Sequence, residues 1–204
     1  MPRVGVISDT HGLLRPEATA FLRGSDFIVH AGDIGGQNIL KELGALAPVT
    51  AVRGNNDKGP WAEAVSQTEV LQVGKVFIYV LHNLAELDLD PVAAGFQVIV
   101  SGHSHQPSIE KRDGVLYVNP GSSGPRRFKL PIAVAELQVV GDSVKAQVVE
   151  LEVSSANTSA IPCGSARNRC TTPPDSKRWP AESRIGRSSE SAPPEARARG
   201  VAWI

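Results

Sequence analysis

The chain is poor in cysteine, in aromatic residues and in long apolar runs. Only 2 of its 204 residues are Cys and 5% are aromatic. Both cysteines, Cys163 and Cys170, stand near the end of the chain without a second Cys or His pair, which argues against a structural zinc site built on thiolates. The longest wholly apolar run, Val76–Leu81, has six residues, whereas a helix that crosses a bilayer needs about 20. The sequence therefore indicates no membrane-spanning segment.

An excess of charge of either sign is also missing. The chain has 21 Lys and Arg and 21 Asp and Glu, so its formal net charge is zero. A neutral chain has no general attraction to nucleic acid or to an acidic membrane. A strand begins within the first few residues and no apolar stretch precedes a small-residue cleavage site, so we expect no secretion signal and a cytoplasmic location.

The neutral total hides two segments of opposite charge. Residues 1–153 carry 13 Lys and Arg against 17 Asp and Glu, a net charge of −4, whereas residues 154–204 carry 8 against 4, a net charge of +4. The second segment is rich in Ser, Ala, Arg and Pro, and its few large apolar residues show no periodicity. Because such a segment cannot bury enough apolar surface to offset its conformational entropy, we expect a folded domain over 1–153 and a disordered basic tail over 154–204.

Strands and helices alternate in the first segment, which is typical of α/β proteins. Short apolar runs predict the strands, and i, i+3, i+4 spacing predicts the helices. The predicted strands are 4–8, 26–30, 49–53, 70–73, 76–81 and 98–101, the predicted helices are 15–23, 39–46 and 91–94, and two further hairpins turn at Asp113-Gly114 and Gly141-Asp142. This mixture of βαβ units and hairpins predicts two mixed sheets packed together, with helices outside.

Groups that can bind a metal follow five of these strands. They are Asp9 and His11, Asp33, Asn55, His82, and His103 with His105. Sites in open α/β sheets gather beyond the carboxyl ends of the strands, so these side chains are expected to face one cleft. Carboxylate, imidazole and amide ligands without thiolates suit Mn²⁺, Fe²⁺ or Zn²⁺ better than Ca²⁺. Asp33 lies in chain order between the pair Asp9 and His11 and the pair His103 and His105, and we expect it to bridge two ions.

These residues resemble the calcineurin-like metallophosphoesterases, and within them the small prokaryotic YfcE-like phosphodiesterases. The resemblance covers residues 1 to about 152. It consists of Asp-x-His, Gly-Asp, Gly-Asn-x-Asp, a lone His after a strand, Gly-His-x-His and Asn119-Pro-Gly-Ser, in that order. It implies an α/β fold, a four-layer α/β/β/α sandwich with two mixed sheets flanked by helices.

The resemblance also implies a dinuclear site and a phosphodiesterase activity on small phosphate esters. Asp9, His11 and His105 would hold one ion, Asn55, His82 and His103 the other, and Asp33 would bridge them. The cofactors would be two divalent ions, Mn²⁺ in the first place, with Fe, Zn or Ni also suitable. A bridging hydroxide would attack phosphorus in line with the leaving group, so that Asp33, Asn55, His82 and Asn56 form the catalytic set.

Two positions depart from the pattern of that family. Many members have His at the position of Asn56, where it contacts phosphate or protonates the leaving group, and the Asn amide does not titrate. We therefore assign Asn56 to substrate binding and expect esters with acidic leaving groups. At Asn83 the family usually has Gly, and Asn tolerates a left-handed conformation well enough to keep His82 correctly aimed. Arg126 and Arg127 are further candidates for pairing with phosphate.

Other readings stay open at this point. Capping or turn hydrogen bonds would also explain each ligand candidate taken singly. His30 is expected to be a buried or supporting histidine, and Asp57 to orient a ligand or cap a turn. A eukaryotic retromer subunit resembles the same branch and acts as a scaffold, so a non-catalytic interaction protein is the main alternative. A regulatory protein whose basic tail binds an anionic partner is a weaker one.

The tail prediction can be tested by truncation after Glu152. If residues beyond this point do not pack on the domain, the truncated chain will keep its melting temperature within about 2 °C and retain full activity. Differential scanning calorimetry and an activity assay measure the two quantities. A large fall in melting temperature would show that the tail contributes to the folded domain.

Overall fold

Two five-stranded sheets form the framework of the computed structural model, which describes residues 1–127 and 129–153. The first sheet has the order β10-β9-β1-β2-β3. Its strands are β1 (Arg3–Ile7), β2 (Phe27–His30), β3 (Val49–Ala51), β9 (Ala133–Val140) and β10 (Ser143–Glu150). The predicted tail and its boundary after residue 153 lie outside the described residues.

The second sheet has the order β4-β5-β6-β8-β7. Its strands are β4 (Thr68–Val73), β5 (Val76–Leu81), β6 (Val98–Val100), β7 (Ser108–Arg112) and β8 (Val115–Asn119). Each sheet has three parallel strands, β1-β2-β3 in one and β5-β6-β8 in the other, with antiparallel strands completing it. Both sheets are therefore mixed, as the sequence predicted.

An apolar layer rich in valine joins the two sheets. Val4 and Val6 alternate along β1 towards this layer and meet residues of the second sheet such as Ile78 and Val98, all with no exposed surface. Because these side chains of both sheets are buried, the inward face of each strand is fixed. A shift of register by one residue would expose them, so the strand register is fixed as well. The carboxyl ends of the parallel strands are thus held in one place.

Helices α1 (Pro16–Leu22) and α2 (Gln37–Gly44) cover the outer face of the first sheet. Leu22 and Leu43 are fully buried there against Ile7 and Ile28. A third, one-turn helix, α3 (Pro60–Glu63), follows β3. The predicted helices 15–23 and 39–46 correspond to α1 and α2.

The outer face of the second sheet has a thinner cover. A single 3-10 turn, Leu84–Glu86, and the segment after it place Leu87 and Phe96 on Tyr79 and Ile99. The predicted helix over 91–94 is a hydrogen-bonded turn instead. Pro91 can begin a helix, but Gly95 has a left-handed backbone with a φ of 79°. A left-handed residue ends a helix, so only one turn forms. The α/β fold with two mixed sheets is confirmed, with this outer layer reduced to short pieces.

Within the described part of the chain, helices of the length and apolar character required to cross a membrane are absent.

Core packing on β9 can be tested by replacing a valine with alanine at a buried position and at an exposed position. Val134 has no exposed surface, whereas Val140 is 40% exposed. Val134→Ala removes two buried methyl groups and leaves a cavity under α1 and α2, so we expect a loss of about 2 kcal/mol in the free energy of unfolding. Val140→Ala is the matched control and is expected to change it by less than about 0.5 kcal/mol. The two positions are on the same face of β9 and differ in burial, so equal effects in urea denaturation would contradict the packing of Val134 under the helices.

Candidate metal centre

All seven predicted ligands lie at the carboxyl ends of parallel strands. Asp9 and His11 follow β1, Asp33 follows β2, Asn55 follows β3, His82 follows β5, and His103 and His105 follow β6. The first sheet therefore supplies four of them and the second sheet three. A chain of contacts between side-chain atoms connects all seven.

Asp9, His11 and His105 form the first group of candidate ligands. The Nε2 atom of His105 is 3.2 Å from Oδ1 of Asp9, and Nε2 of His11 is 3.9 Å from the same oxygen. The two imidazole Nε2 atoms are 3.5 Å apart. One carboxylate oxygen and two ring nitrogens thus point at a common space, as ligands of one ion do.

Asn55, His82 and His103 form the second group. The Asn55 Oδ1 atom is 3.1 Å from Nε2 of His82 and 3.0 Å from Nδ1 of His103. His82 Nδ1 donates a hydrogen bond to the carbonyl oxygen of Ala31 at 2.7 Å. This bond places the proton of a neutral imidazole on Nδ1 and leaves the Nε2 lone pair for a ligand. Only the protonated ring, with a second proton on Nε2, donates to Asp33.

Asp33 lies between the two groups. Its Oδ2 atom is 3.5 Å from Nε2 of His82 and 3.8 Å from Nε2 of His11. Burial by itself raises the pKa of Asp33, but hydrogen bonds from His82 and from the backbone and side chain of Asn56 outweigh it and hold the pKa well below its usual range. Burial likewise lowers the pKa of His82, and its bonds to Asp33 and Ala31 raise it overall. Asp33 is thus an ionised carboxylate at the position expected of a bridge.

Five of the seven ligands have a left-handed backbone, with φ of 53° for Asp9, 46° for His11, 52° for Asp33, 68° for His103 and 59° for His105. Among non-glycine residues in the described chain, only Asp113, in a hairpin turn, shares this conformation. A left-handed non-glycine residue costs about 1 kcal/mol or more and persists only where the surroundings hold it. Backbone strain is therefore concentrated at the ligands, which is typical of functional sites.

The carboxylate of Asp9 tests whether these residues suit a metal. Its Oδ2 atom accepts hydrogen bonds from the Ser8 hydroxyl at 2.6 Å and the His103 backbone N–H at 3.1 Å. The Oδ1 atom is buried and accepts none among the described residues. An unsatisfied buried carboxylate oxygen is costly, and this one faces the nitrogens of His11 and His105. A divalent cation in this space would be coordinated by the carboxylate oxygen and both ring nitrogens, so the residues fit a metal.

His30 supports the ligands without being one. It has no exposed surface, its Nδ1 atom accepts from Gly32 N–H at 3.2 Å, and its Nε2 atom lies 2.9 Å from the Thr10 hydroxyl, which donates to Ile34 O at 2.8 Å. Because Nδ1 is the acceptor, the proton is on Nε2. Burial lowers the pKa of His30 to about 4, so the imidazole is neutral and ties the loop after β1 to the loop after β2.

Asp57 connects the loops after β2 and β3. Its two carboxylate oxygens accept hydrogen bonds from the backbone N–H groups of Ile34 at 3.1 Å, Gly35 at 2.8 Å and Gly54 at 2.9 Å. Gly54 has no room for a side chain, because a Cβ atom there would collide with Asp33. The expected supporting roles of His30 and Asp57 agree with these contacts.

The segment 119–124 braces the ligand loops from the second sheet. Asn119 donates through Nδ2 to Gly102 O at 2.7 Å and to the Ser104 hydroxyl at 3.1 Å. The Ser122 hydroxyl donates to Asp9 O at 3.0 Å, and the Ser123 hydroxyl to Ser8 O at 3.2 Å. The motif Asn119-Pro-Gly-Ser belongs to the resemblance, but no bracing role was predicted for it. Ser122 and Ser123 are remote in sequence from Asp9 and Ser8, so the sequence contains no local signal of this bracing.

The predicted substrate-binding residues have different surroundings. Asn56 donates from its backbone N–H to Asp33 Oδ1 at 2.8 Å and from its amide to Oδ2 at 2.6 Å. Arg127 Nη2 lies 3.3 Å from Nε2 of His11. Burial lowers the pKa of His11, and the charge of Arg127 adds to the lowering while that of Asp33 opposes it. Arg126 is exposed, and its role stays a prediction.

The expected left-handed conformation of Asn83 is wrong. The residue is extended, with φ −109° and ψ 113°, and its Oδ1 atom caps the 3-10 turn by accepting from Ala85 N–H at 3.1 Å. Capping stabilises the extended conformation. The orientation of His82 comes from Ala31 O instead.

Comparison with known proteins gives one family and several relatives. Residues 3–142 match the model of the calcineurin-like phosphoesterase superfamily domain. A probable metallophosphoesterase of Methanothermobacter thermautotrophicus is 35% identical over 158 residues, which cover 72% of this chain and 91% of the relative. A phosphodiesterase of Methanocaldococcus jannaschii is 27% identical over 137 residues, 58% of this chain and 82% of the relative.

A solved structure of vacuolar protein sorting 29 from Cryptosporidium parvum has a similar fold, with a TM-score of 0.64. It is 20% identical and covers 74% of this chain and 92% of its own. At this identity the likeness concerns the fold alone.

The buried His30 predicts a pH dependence of stability. The imidazole of the unfolded chain takes up a proton as pH falls below about 6.5, but the folded one does so only near pH 4. Protons therefore favour the unfolded state in this window, and we expect a loss of about 3 kcal/mol in the free energy of unfolding as pH falls from 6.5 to 4.

His30→Gln should remove this component while other groups continue to titrate. Urea denaturation of both proteins at several pH values in EDTA, so that metal release does not contribute, measures the two slopes. Parallel pH dependences in the wild type and the variant would contradict a neutral buried His30.

Proposed function

The chain belongs to the calcineurin-like phosphoesterase superfamily, and we propose that it is a phosphodiesterase that hydrolyses small phosphate esters with two divalent metal ions. The family model and the names of the relatives support a metal-dependent hydrolase acting on phosphate esters. The preference for diesters, the dinuclear site and the identity of the metal are the finer parts of the proposal. One relative is named a phosphodiesterase, which supports the preference for diesters.

The geometry of the ligands supports a division into two sites with one bridge. In the proposal, Asp9, His11 and His105 hold one ion, Asn55, His82 and His103 hold the other, and Asp33 contributes to both. When bound, two such ions lower the pKa of a water molecule to supply the nucleophile and neutralise charge on the phosphoryl oxygens. The strand ends keep the ligands fixed, so little reorganisation is needed during the reaction.

The observation that carries the proposal is the unsatisfied Oδ1 atom of Asp9. A buried carboxylate that served only as a cap or turn residue would use both oxygens in hydrogen bonds. Here Oδ1 faces ring nitrogens of His11 and His105 instead. The structure thereby favours ligation over the capping role that the sequence left open for Asp9.

The residues around the ligands have separate proposed roles. Arg127 lies beside His11, where its guanidinium can pair with a phosphoryl oxygen, and Arg126 stays a second candidate. Asn56 orients Asp33 through two hydrogen bonds and supplies an amide donor at the mouth of the site. Because that amide cannot protonate a leaving group, the proposal favours esters whose alcohols leave as stable anions.

The donor set also guides the choice of metal. It consists of carboxylate, amide and imidazole groups, without a thiolate. Such ligands suit Mn²⁺ well and are compatible with Fe, Zn or Ni. We propose Mn²⁺ as the first ion to test.

A scaffold role is the alternative that the fold allows. The likeness to vacuolar protein sorting 29 is at 20% identity and supports only a common fold. A scaffold has no need for the unsatisfied buried oxygen of Asp9 or for strained backbone at the candidate ligands, and all seven candidate positions here have ligating side chains in contact. The catalytic proposal accounts for these features, so we prefer it.

The remaining expectations concern partners and location. The domain over 1–153 has a net charge of −4, so we expect a small phosphate ester as partner rather than nucleic acid or a membrane surface. The proposed location is the cytoplasm.

The dinuclear proposal is tested by Asp33→Asn. The substitution keeps the shape of the side chain but removes the charge of the bridge, so we expect hydrolysis of bis(p-nitrophenyl) phosphate in Mn²⁺ to fall by more than about 100-fold. Metal content by mass spectrometry should fall from two Mn²⁺ per chain. In the wild type, EDTA should abolish turnover and added Mn²⁺ should restore it.

Asp113→Asn is the matched control, because Asp113 is an exposed aspartate with the same left-handed backbone, φ 50°, in the hairpin between β7 and β8. It should retain wild-type activity and metal content. Turnover that survives chelation, or an Asp33→Asn variant as active as Asp113→Asn, would refute the metal mechanism. A wild type that shows no turnover with added Mn²⁺ would leave the scaffold as the better interpretation.

A further inference from the structure

A polar cavity of about 540 Å³ opens beside the second group of ligands. Asn55 and His82 form the wall nearest the proposed metals. Because the cavity lies next to these candidate ligands, a phosphate ester bound at the ligands can place one of its substituents in the cavity. The volume is in the range of cavities that hold small organic ligands, and it is far larger than a phosphate needs.

The cavity offers charged groups that are not paired with one another. Arg53 and Asp88 both line it, and no ion pair within 4.0 Å or side-chain hydrogen bond engages either of them in the described chain. Arg53 is half-buried, at the end of β3. Its guanidinium has only donors and the Asp88 carboxylate only acceptors, so the cavity presents both kinds of group to a ligand.

The floor of the cavity argues against an apolar or stacking ligand. Tyr79 is 9% exposed and Leu81 is 2% exposed, and the Tyr79 ring packs on Phe96 with 5.1 Å between ring centroids. With so little of the ring exposed, Tyr79 offers only a small surface for stacking. An apolar substituent would bury little extra apolar surface there, and it would leave Arg53 and Asp88 without partners.

Neutral hydrogen-bonding groups complete the rim. Gln67 and Thr68 are exposed, line the cavity and make no side-chain hydrogen bond in the described residues. Glu86 also lines the cavity and accepts a hydrogen bond from the Asn83 amide at 3.1 Å. A purely anionic ligand would meet the carboxylates of Asp88 and Glu86, and a purely cationic one would meet Arg53. Vicinal hydroxyl groups, which donate and accept at the same time, match this mixture of donors and acceptors.

We infer that the cavity is a subsite for a carbohydrate-type alcohol of the ester, with Arg53 and Asp88 as the residues that determine specificity. This inference rests on the proposed phosphodiesterase function and names its substrate class. One alcohol of the diester presents its vicinal hydroxyls to the guanidinium and the carboxylate while the phosphate lies at the metal ligands. Hydrogen bonds to charged groups are the strong ones, so the hydroxyls contribute most of the selectivity.

The test compares two diesters that release p-nitrophenol. One is the 6-(p-nitrophenyl phosphate) of methyl glucoside, and the other is cyclohexylmethyl p-nitrophenyl phosphate, which has a ring of equal size without hydroxyls. We expect kcat/KM in Mn²⁺ to be about 10-fold or more higher for the glucoside, mainly through KM. In Arg53→Gln and in Asp88→Asn the ratio of the two kcat/KM values should fall towards one.

Arg23→Gln is the control, since Arg23 is exposed at the end of α1 and should leave both kcat/KM values unchanged. Having two variants keeps the test valid if one of them folds poorly, which circular dichroism would show. Equal kcat/KM for the two diesters in the wild type, or a preference that both variants retain, would overturn the subsite while the phosphodiesterase function stands. Failure to hydrolyse either diester or bis(p-nitrophenyl) phosphate would overturn both proposals.

Discussion

The electrostatic requirement of two buried carboxylates governs the organisation of this protein. Asp9 and Asp33 have 0% and 2% exposed surface, and buried charge is tolerated only when donors or cations surround it. Ser8, Asn56, His82 and the backbone of His103 supply the donors. Two glycines leave room for the carboxylates. A Cβ atom at Gly54 would collide with Asp33, and one at Gly102 would collide with Ser8 and Asp9.

Strain and support are balanced around the same residues. Five of the seven candidate ligands adopt left-handed backbones, which an isolated chain would leave readily. His30, Asp57 and the segment 119–124 hold them by hydrogen bonds between loops that are remote in sequence. The stability of the two sheets, joined through their common valine-rich layer, offsets the cost of this arrangement. The site is therefore precise because the framework below it is rigid.

The sequence was sufficient to predict the strands, the two mixed sheets and the convergence of the seven ligands, since short apolar runs and polar strand ends follow from chain periodicity alone. It was insufficient where tertiary contacts decide. Asn83 caps a turn because Ala85 N–H needs an acceptor, and 91–94 is one turn because Gly95 ends it. The bracing by Ser122 and Ser123 depends on β1 and β9 being neighbours, which local patterns do not reveal.

The division of the ligands between the sheets has a consequence for the folded state. Asp9, His11, Asp33 and Asn55 belong to one sheet, and His82, His103 and His105 to the other. Under the proposed function, ions bound here would act as a cross-link between the two halves of the molecule at one end of the sandwich. Ligand binding to the native state alone stabilises it by mass action. The free metal concentration would then set the free energy of unfolding of the chain as well as its activity.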